Sequence, residues 1–341
     1  MKHGNDTVQM KRLPEEDLQH ILNHTASLWE AMRGQSVFIT GGTGFFGKWL
    51  LEAFSYAIRE MSLDTVVYIL SRNPEAFTTR FPHFAAESHF KFLKGDVTDF
   101  AFPELDIDLI IHAATEASAK LNHEDPLLMI DSIIQGTRNV LEFARTKHAG
   151  RVLYISSGAV YGIQPDGLKG FPEDFPGGPD PLQPSSAYAE AKRTAELLCA
   201  CYGRQYHMEI PVARCFAFVG PYLDLDAHFA IGNFIKNGLN KENIVIRGDG
   251  KPMRSYLYAA DLVIWLLHIL LFGKPGEAYN VGSDQAISIE DLALKVAGFF
   301  PGLKVEVMNQ VRPTDRNQNY VPDIHKTMNI FSLAKPFSLD E

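Results

Sequence analysis

Three cysteines in a chain of 341 residues are too few for a disulfide framework. Cys199 and Cys201 stand two apart in a stretch that reads as helix, so their thiols face different ways. With Cys215 they read as structural thiols in a reducing compartment rather than as a metal or redox site. Basic charge is also short. The 32 Lys and Arg against 41 Asp and Glu leave a formal net charge of −9, which gives nucleic acid or an anionic membrane no electrostatic support as a partner. An anionic small ligand needs only a few Arg and Lys to converge locally. Long apolar runs are missing as well: Leu262–Phe272 is interrupted by His268 and is too short to cross a bilayer. Met1–Leu13 is too polar for a secretory leader. There is no internal repeat and no low-complexity tract. These absences lead to the expectation of a soluble, cytoplasmic protein without a metal site. With 46% hydrophobic residues and 21% charged residues, the chain can bury a large core in one big domain or two smaller ones.

From Ser36 onward short apolar runs alternate with helical patterns. Ser36–Thr40, Thr65–Leu70, His89–Leu93, Leu109–Ala114, Arg151–Ser156 and Pro211–Val219 read as buried strands. Lys48–Met61, Pro126–Lys147 and Ala187–Tyr206 read as helices. Such alternation predicts an α/β fold, a doubly wound parallel sheet with helices on both faces. Residues 1–33 read as an N-terminal helical extension, its helix covering Glu15–Met32. Residues 34–220 form the main domain. Residues 221–341 read as a smaller lobe interleaved with it, with strands at Asn243–Arg247 and Ala278–Val281 and a helix at Leu257–Leu271. The Pro/Gly-rich stretch Gly162–Pro184 lies between strongly patterned segments and reads as a functional loop.

The first strand runs into Gly41-Gly42-Thr43-Gly44-Phe45-Phe46-Gly47. Glycines at 41, 44 and 47 permit a tight turn, close approach of backbone to a pyrophosphate, and close helix–strand packing. Set between a strand and a helix, the pattern points to a bound dinucleotide, with Thr43, Phe45 and Phe46 completing the turn. The second strand ends at Ser71-Arg72, where an NAD site usually presents an acidic side chain to the ribose. A guanidinium there suits the 2′-phosphate of NADP; a solvated loop cation is the alternative. Asp96, with Val97 beside it, is placed to accept from an adenine amine. Ala113 and Ala114 keep the fourth strand's end small where backbone must pass close to the cofactor.

Tyr188 and Lys192 are four residues apart, on one face of a helix. A phenol with a pKa near 10 is a poor base at neutral pH; an adjacent ammonium favours the phenolate. Ser157 ends the fifth strand, where it can hold a carbonyl or hydroxyl oxygen beside the tyrosine.

These residues resemble the extended short-chain dehydrogenase/reductases that modify nucleotide sugars. The carriers are the glycine turn, His112-Ala113-Ala114, Ser156-Ser157-Gly158-Ala159-Val160-Tyr161-Gly162, and Tyr188 with Lys192. Further on come Gly220-Pro221, Arg254-Ser255-Tyr256-Leu257-Tyr258-Ala259-Ala260-Asp261, Tyr279-Asn280-Val281-Gly282 and Arg312-Pro313. The resemblance spans about residues 34 to 330. It implies a Rossmann domain with a C-terminal substrate-binding lobe, a bound NADP or NAD, a nucleotide-diphosphate sugar as substrate, and a homodimer built from two helices per subunit. It assigns catalysis to Ser157, Tyr188 and Lys192, and diphosphate contacts to Arg254 and Arg316. Asn233 could donate to the same phosphates, and Arg247 is a weaker candidate near the base. Glu116 falls where dehydratases and decarboxylases carry a glutamate, yet it serves equally as a partner of Thr115 or Lys192. Ala217 departs from the family, many members of which have Asn there.

Dehydratases similar to this chain carry an Asp-Glu pair where Gly158 and Ala159 stand, so a 4,6-dehydratase stays only as a further alternative without its usual proton-transfer groups. Reduction of a 4-keto (6-deoxy) hexose leads, and epimerisation with a recycled NAD is the alternative to it. Arg72 favours the reductase, because a reductase draws on NADPH at every turnover. A non-catalytic NADP-binding protein is the reading outside enzymology, and the intact Ser157, Tyr188 and Lys192 argue against it.

Overall fold

The computed structural model describes residues 11–115, 119–227, 229–310 and 319–341. Seven parallel strands form the central sheet: β1 Ser36–Thr40, β2 Val66–Ser71, β3 Phe90–Lys94, β4 Leu109–His112, β5 Arg151–Ser157, β6 Val212–Cys215 and β7 Ala278–Val281. Their spatial order is β7-β6-β5-β4-β1-β2-β3. Alternate residues of β1 serve opposite faces. Val37 and Ile39 join one core with α1 (Glu15–Ala31) and α2 (Phe45–Met61), while Phe38 joins the other with α3 (Pro126–Thr146) and α4 (Ala187–Tyr206). The fold is therefore the Rossmann-like α/β architecture that the alternating pattern predicts.

The order reverses between β1 and β4, which opens a crevice beyond the carboxyl ends of these two neighbours, where such sheets bind ligands. The expected strand Pro211–Val219 is split. After Cys215 the chain leaves the sheet, and Phe218–Val219 pairs instead with Leu257–Tyr258. That second pair shortens the expected helix Leu257–Leu271, and α6 begins at Ala259 and runs to Phe272.

The C-terminal part interleaves in a specific way. α6 packs into the α1/α2 core, and β7 closes the edge of the main sheet. A separate small core holds α5 (Ala230–Asn240), α7 (Ile289–Gly298) and two short parallel strands, Ile244–Ile246 and Val305–Val307. It is built from Ile231, Phe234, Ile244, Ile246, Tyr256 and Leu292. α1 is anchored by buried Ile21, Leu28 and Trp29 and by Tyr258 Oη donating to Asp17 Oδ2 at 2.8 Å. Among the described residues no helix is long and apolar enough to cross a membrane.

Candidate active site

The glycine turn lies at the mouth of the crevice. Gly41 has φ +72°, and a β-carbon there would come within 2.6 Å of the Ala113 carbonyl carbon. One on Gly47 would lie 2.3 Å from the Gly42 backbone, so this glycine sets how closely α2 packs against the turn. Gly44 precedes α2, no side chain caps the helix, and its first turn carries no acidic residue. Uncapped backbone N–H groups at a helix start suit an anion, so the turn fits the pyrophosphate of a dinucleotide.

The end of β4 is tied to this turn. Thr40 Oγ1 accepts from Ala114 N at 3.1 Å and lies 2.7 Å from His112 Nδ1. His112 Nε2 lies 3.1 Å from Thr137 Oγ1. Burial pushes the His112 pKa down to about 3, so the ring is neutral, with one nitrogen donating and the other accepting in these two contacts. At the ends of β2 and β3, Ser71 Oγ accepts from Asn73 N at 3.3 Å. Asp96 Oδ1 accepts from both Thr98 N and Thr98 Oγ1, at 3.0 and 2.7 Å. Burial alone would raise the Asp96 pKa, but the Thr98 bonds and the Arg72 charge hold it below the usual value. The Val97 carbonyl accepts from Asn139 Nδ2 at 3.0 Å. Arg72 is exposed at the end of β2.

Ser157, Tyr188 and Lys192 converge between β5 and α4. Lys192 is 2% exposed and donates to Thr115 Oγ1 at 2.8 Å and to the Ile155 carbonyl at 2.7 Å. Its ammonium lies 5.0 Å from the Tyr154 ring centre. Burial lowers its pKa to about 8. Burial raises the Tyr188 phenol, and the neighbouring Ser157 draws it back. The Lys192 ammonium is engaged by Thr115 and the Ile155 carbonyl.

Ser157 also meets a residue that sequence reasoning missed. Tyr320 Oη lies 3.4 Å from Ser157 Oγ, carried there by backbone pairing of Tyr320 N with the Met253 carbonyl at 3.0 Å. No spacing signal connects Tyr320 to Ser157; only the tertiary return of the chain does. The neighbouring Gly158 is enforced by Phe216, whose Cζ would lie 2.6 Å from a β-carbon at 158.

The substrate candidates are less uniform. Arg254 is half-buried, donates to the Met253 carbonyl at 3.0 Å, and bridges to Tyr320 through its backbone. Asn233 lies beside the Leu225 and Ala227 carbonyls, to which its amide nitrogen, once the amide is turned to face acceptors, donates at 3.2 and 3.1 Å. Arg247 is exposed. Glu116 and Arg316 lie outside the described residues.

The chain is similar to known proteins along most of its length. UDP-glucuronic acid decarboxylase 3 of Arabidopsis thaliana is 28% identical over 309 residues, covering 89% of this chain and 86% of that protein. The dTDP-D-glucose 4,6-dehydratase of Homo sapiens is 28% identical over 286 residues, covering 79% and 77%. Among solved structures, the dTDP-glucose 4,6-dehydratase DesIV of Streptomyces venezuelae, with NAD and TYD bound, superposes with a TM-score of 0.76. It shares 22% identity, over 90% of this chain and 94% of that one. Residues 37–282 match the NAD dependent epimerase/dehydratase family, and the chain belongs to it.

Proposed function

We propose that the protein is a nucleotide-sugar oxidoreductase that reduces a 4-keto (6-deoxy) hexose and prefers NADPH. The observation that carries this reading is the Tyr188 phenol beside Ser157 with no acid pair at positions 158 and 159. Tyr188 lies beside Ser157, while Gly158 and Ala159 stand where dehydration needs carboxyls, and Phe216 fills the space at 158.

Gly41, Thr43, Gly44, Phe45, Phe46 and Gly47 would hold the pyrophosphate, with Ala113 and Ala114 beside it. Ser71, Arg72, Asp96 and Val97 would surround the adenosine, and Lys192 would hold the nicotinamide ribose. When bound, the reduced nicotinamide supplies a hydride to the carbonyl carbon. Ser157 donates to the carbonyl oxygen and orients it. As the C=O electron pair moves onto that oxygen, Tyr188 Oη gives it the proton. Arg254 and Arg316 would grip the diphosphate of the sugar nucleotide. A homodimer through α3 and α4 is supported by Leu127, Leu128 and Leu197, which stand 71%, 51% and 63% exposed on these helices.

The same phenol supports a second reading. Epimerisation through a 4-keto intermediate needs Tyr188 alone, first as base and then as acid. Purified protein with NADPH and a panel of nucleotide-linked 4-keto-6-deoxy sugars separates the two. Stoichiometric loss of NADPH absorbance with one member is expected. No net loss, with NAD retained in the isolated protein, would replace the reductase by the epimerase.

A further inference from the structure

The segment between β4 and α3 touches both members of the Tyr188–Lys192 pair. Thr115 Oγ1 accepts from Lys192 Nζ at 2.8 Å, while the Thr115 hydroxyl donates to the Ala114 carbonyl at 2.8 Å. With its proton committed there, the oxygen is fixed as an acceptor toward the ammonium. Seven residues on, Asn122 Oδ1 accepts from Tyr188 N at 2.9 Å, and Asn122 Nδ2 donates to the Ser185 carbonyl at 3.0 Å. α4 has no side-chain cap of its own: Ser186 precedes it in helical conformation without capping it. One of the helix's unpaired first-turn donors, that of Tyr188, is therefore satisfied from across the crevice. The same segment starts from Ala114, whose N–H is held by Thr40 just before the glycine turn.

We propose that Thr115 and Asn122 are positioning residues for proton transfer, locking Lys192 and the backbone of Tyr188 to the strand end that lines the dinucleotide crevice. The proposal rests on the oxidoreductase reading above. Thr115 sets where the ammonium sits, and Asn122 sets the height and rotation of the helix turn that carries the phenol. A displacement on the order of 1 Å at such a pair costs roughly a hundredfold in rate, so two bonds that fix it act on turnover more than on affinity.

Among the described residues, the titratable groups facing Lys192 are His112, Tyr154, Tyr188, Glu196, Cys199 and Cys215. His112 protonates only near 3. Burial pushes both thiols and both phenols upward. Glu196 is paired with Arg214 at 2.7 Å.

The test uses the full chain and four variants: Thr115→Val, Thr115→Ser, Asn122→Leu and Asn122→Asp. Lysine ε-carbon NMR, with Lys192 assigned through Lys192→Met, should give a midpoint near 8 for the wild type. Thr115→Val should lower it by about one pH unit, since an acceptor of the charged form is lost. Thr115→Ser should restore it. Asn122→Leu should lower kcat roughly 10- to 100-fold with KM nearly unchanged, and should raise hydrogen exchange at the Tyr188 amide. Asn122→Asp, which keeps the acceptor, should recover most of both. An unmoved lysine midpoint in Thr115→Val overturns the proposal. So does an Asn122→Asp protein as impaired as Asn122→Leu. If no sugar on the panel turns over in the wild type, the oxidoreductase reading fails, and the titration and the exchange rates still decide whether the two residues fix the pair.

Discussion

Phe216 occupies the space that any side chain at position 158 would need: its Cζ would lie 2.6 Å from a β-carbon built on Gly158. The ring has little freedom to withdraw. It packs against Tyr320 at 4.7 Å between ring centres and against Tyr161 at 6.1 Å, and its backbone N–H is bonded to the Val281 carbonyl at 3.0 Å. The absent carboxylate is therefore built into the packing. Gly158→Ala should destabilise the protein by about 1–3 kcal/mol through overpacking, measured by urea unfolding. Adding Phe216→Ala should return part of that loss. A Gly158→Ala protein as stable as the wild type would show that the ring moves aside freely.

Tyr188→Phe removes the proton and leaves the ring. Turnover should fall about 10²- to 10⁴-fold, while cofactor affinity, measured by fluorescence titration, stays close to wild type. Equal rates in mutant and wild type with every nucleotide sugar tried would defeat the enzyme reading.

His112 makes stability depend on pH in a defined direction. Its folded pKa is depressed to about 3 by burial, from an ordinary value of 6.5. As pH falls below the ordinary value, the unfolded chain binds a proton at this residue and the folded chain does not. The stabilisation is present above about pH 6.5 and is lost progressively toward pH 3, at up to about 1.4 kcal/mol per pH unit. Urea unfolding between pH 4 and 7 should show a shallower slope for His112→Asn than for the wild type, whatever the variant's absolute stability. Parallel slopes would mean that His112 is charged in the folded protein.

Local patterns carried most of the sheet and half of the site. β1 and β7 fall where apolar runs and their bounding residues predict, and α4 follows its pattern from Ala187 to Tyr206, because burial against a sheet imposes a period that single segments display. The placement of β7 on the sheet edge, and the break after Cys215, depend on which strand the chain pairs with next. No local period encodes that choice. The glycine turn was readable because each glycine answers a steric demand within a few residues. Tyr320, Thr115 and Asn122 were not, because each acts through a partner at least 66 residues away in sequence. Helical spacing places Lys192 on the same face as Tyr188, and the long side chain finds its acceptors on β5 and after β4.

In the proposed reductase, Arg72 is the residue that would carry a preference for NADPH. It stands exposed after β2, close enough to Asp96 for its charge to lower that carboxyl's pKa. A 2′-phosphate at this strand end would gain a charge-assisted bond to the guanidinium, whereas the bare ribose of NADH would gain only a hydroxyl contact. Arg72→Asp should therefore weaken NADPH more than NADH by about 1–3 kcal/mol, as read by parallel fluorescence titrations of the same protein at one ionic strength. The substitution also sets a second carboxylate beside Asp96, and the resulting repulsion falls harder on the phosphate than on the hydroxyl, in the same direction. Equal losses for the two cofactors would mean that Arg72 contributes only general attraction to a dinucleotide. The argument for a reductase over an epimerase that recycles NAD would then lose its support.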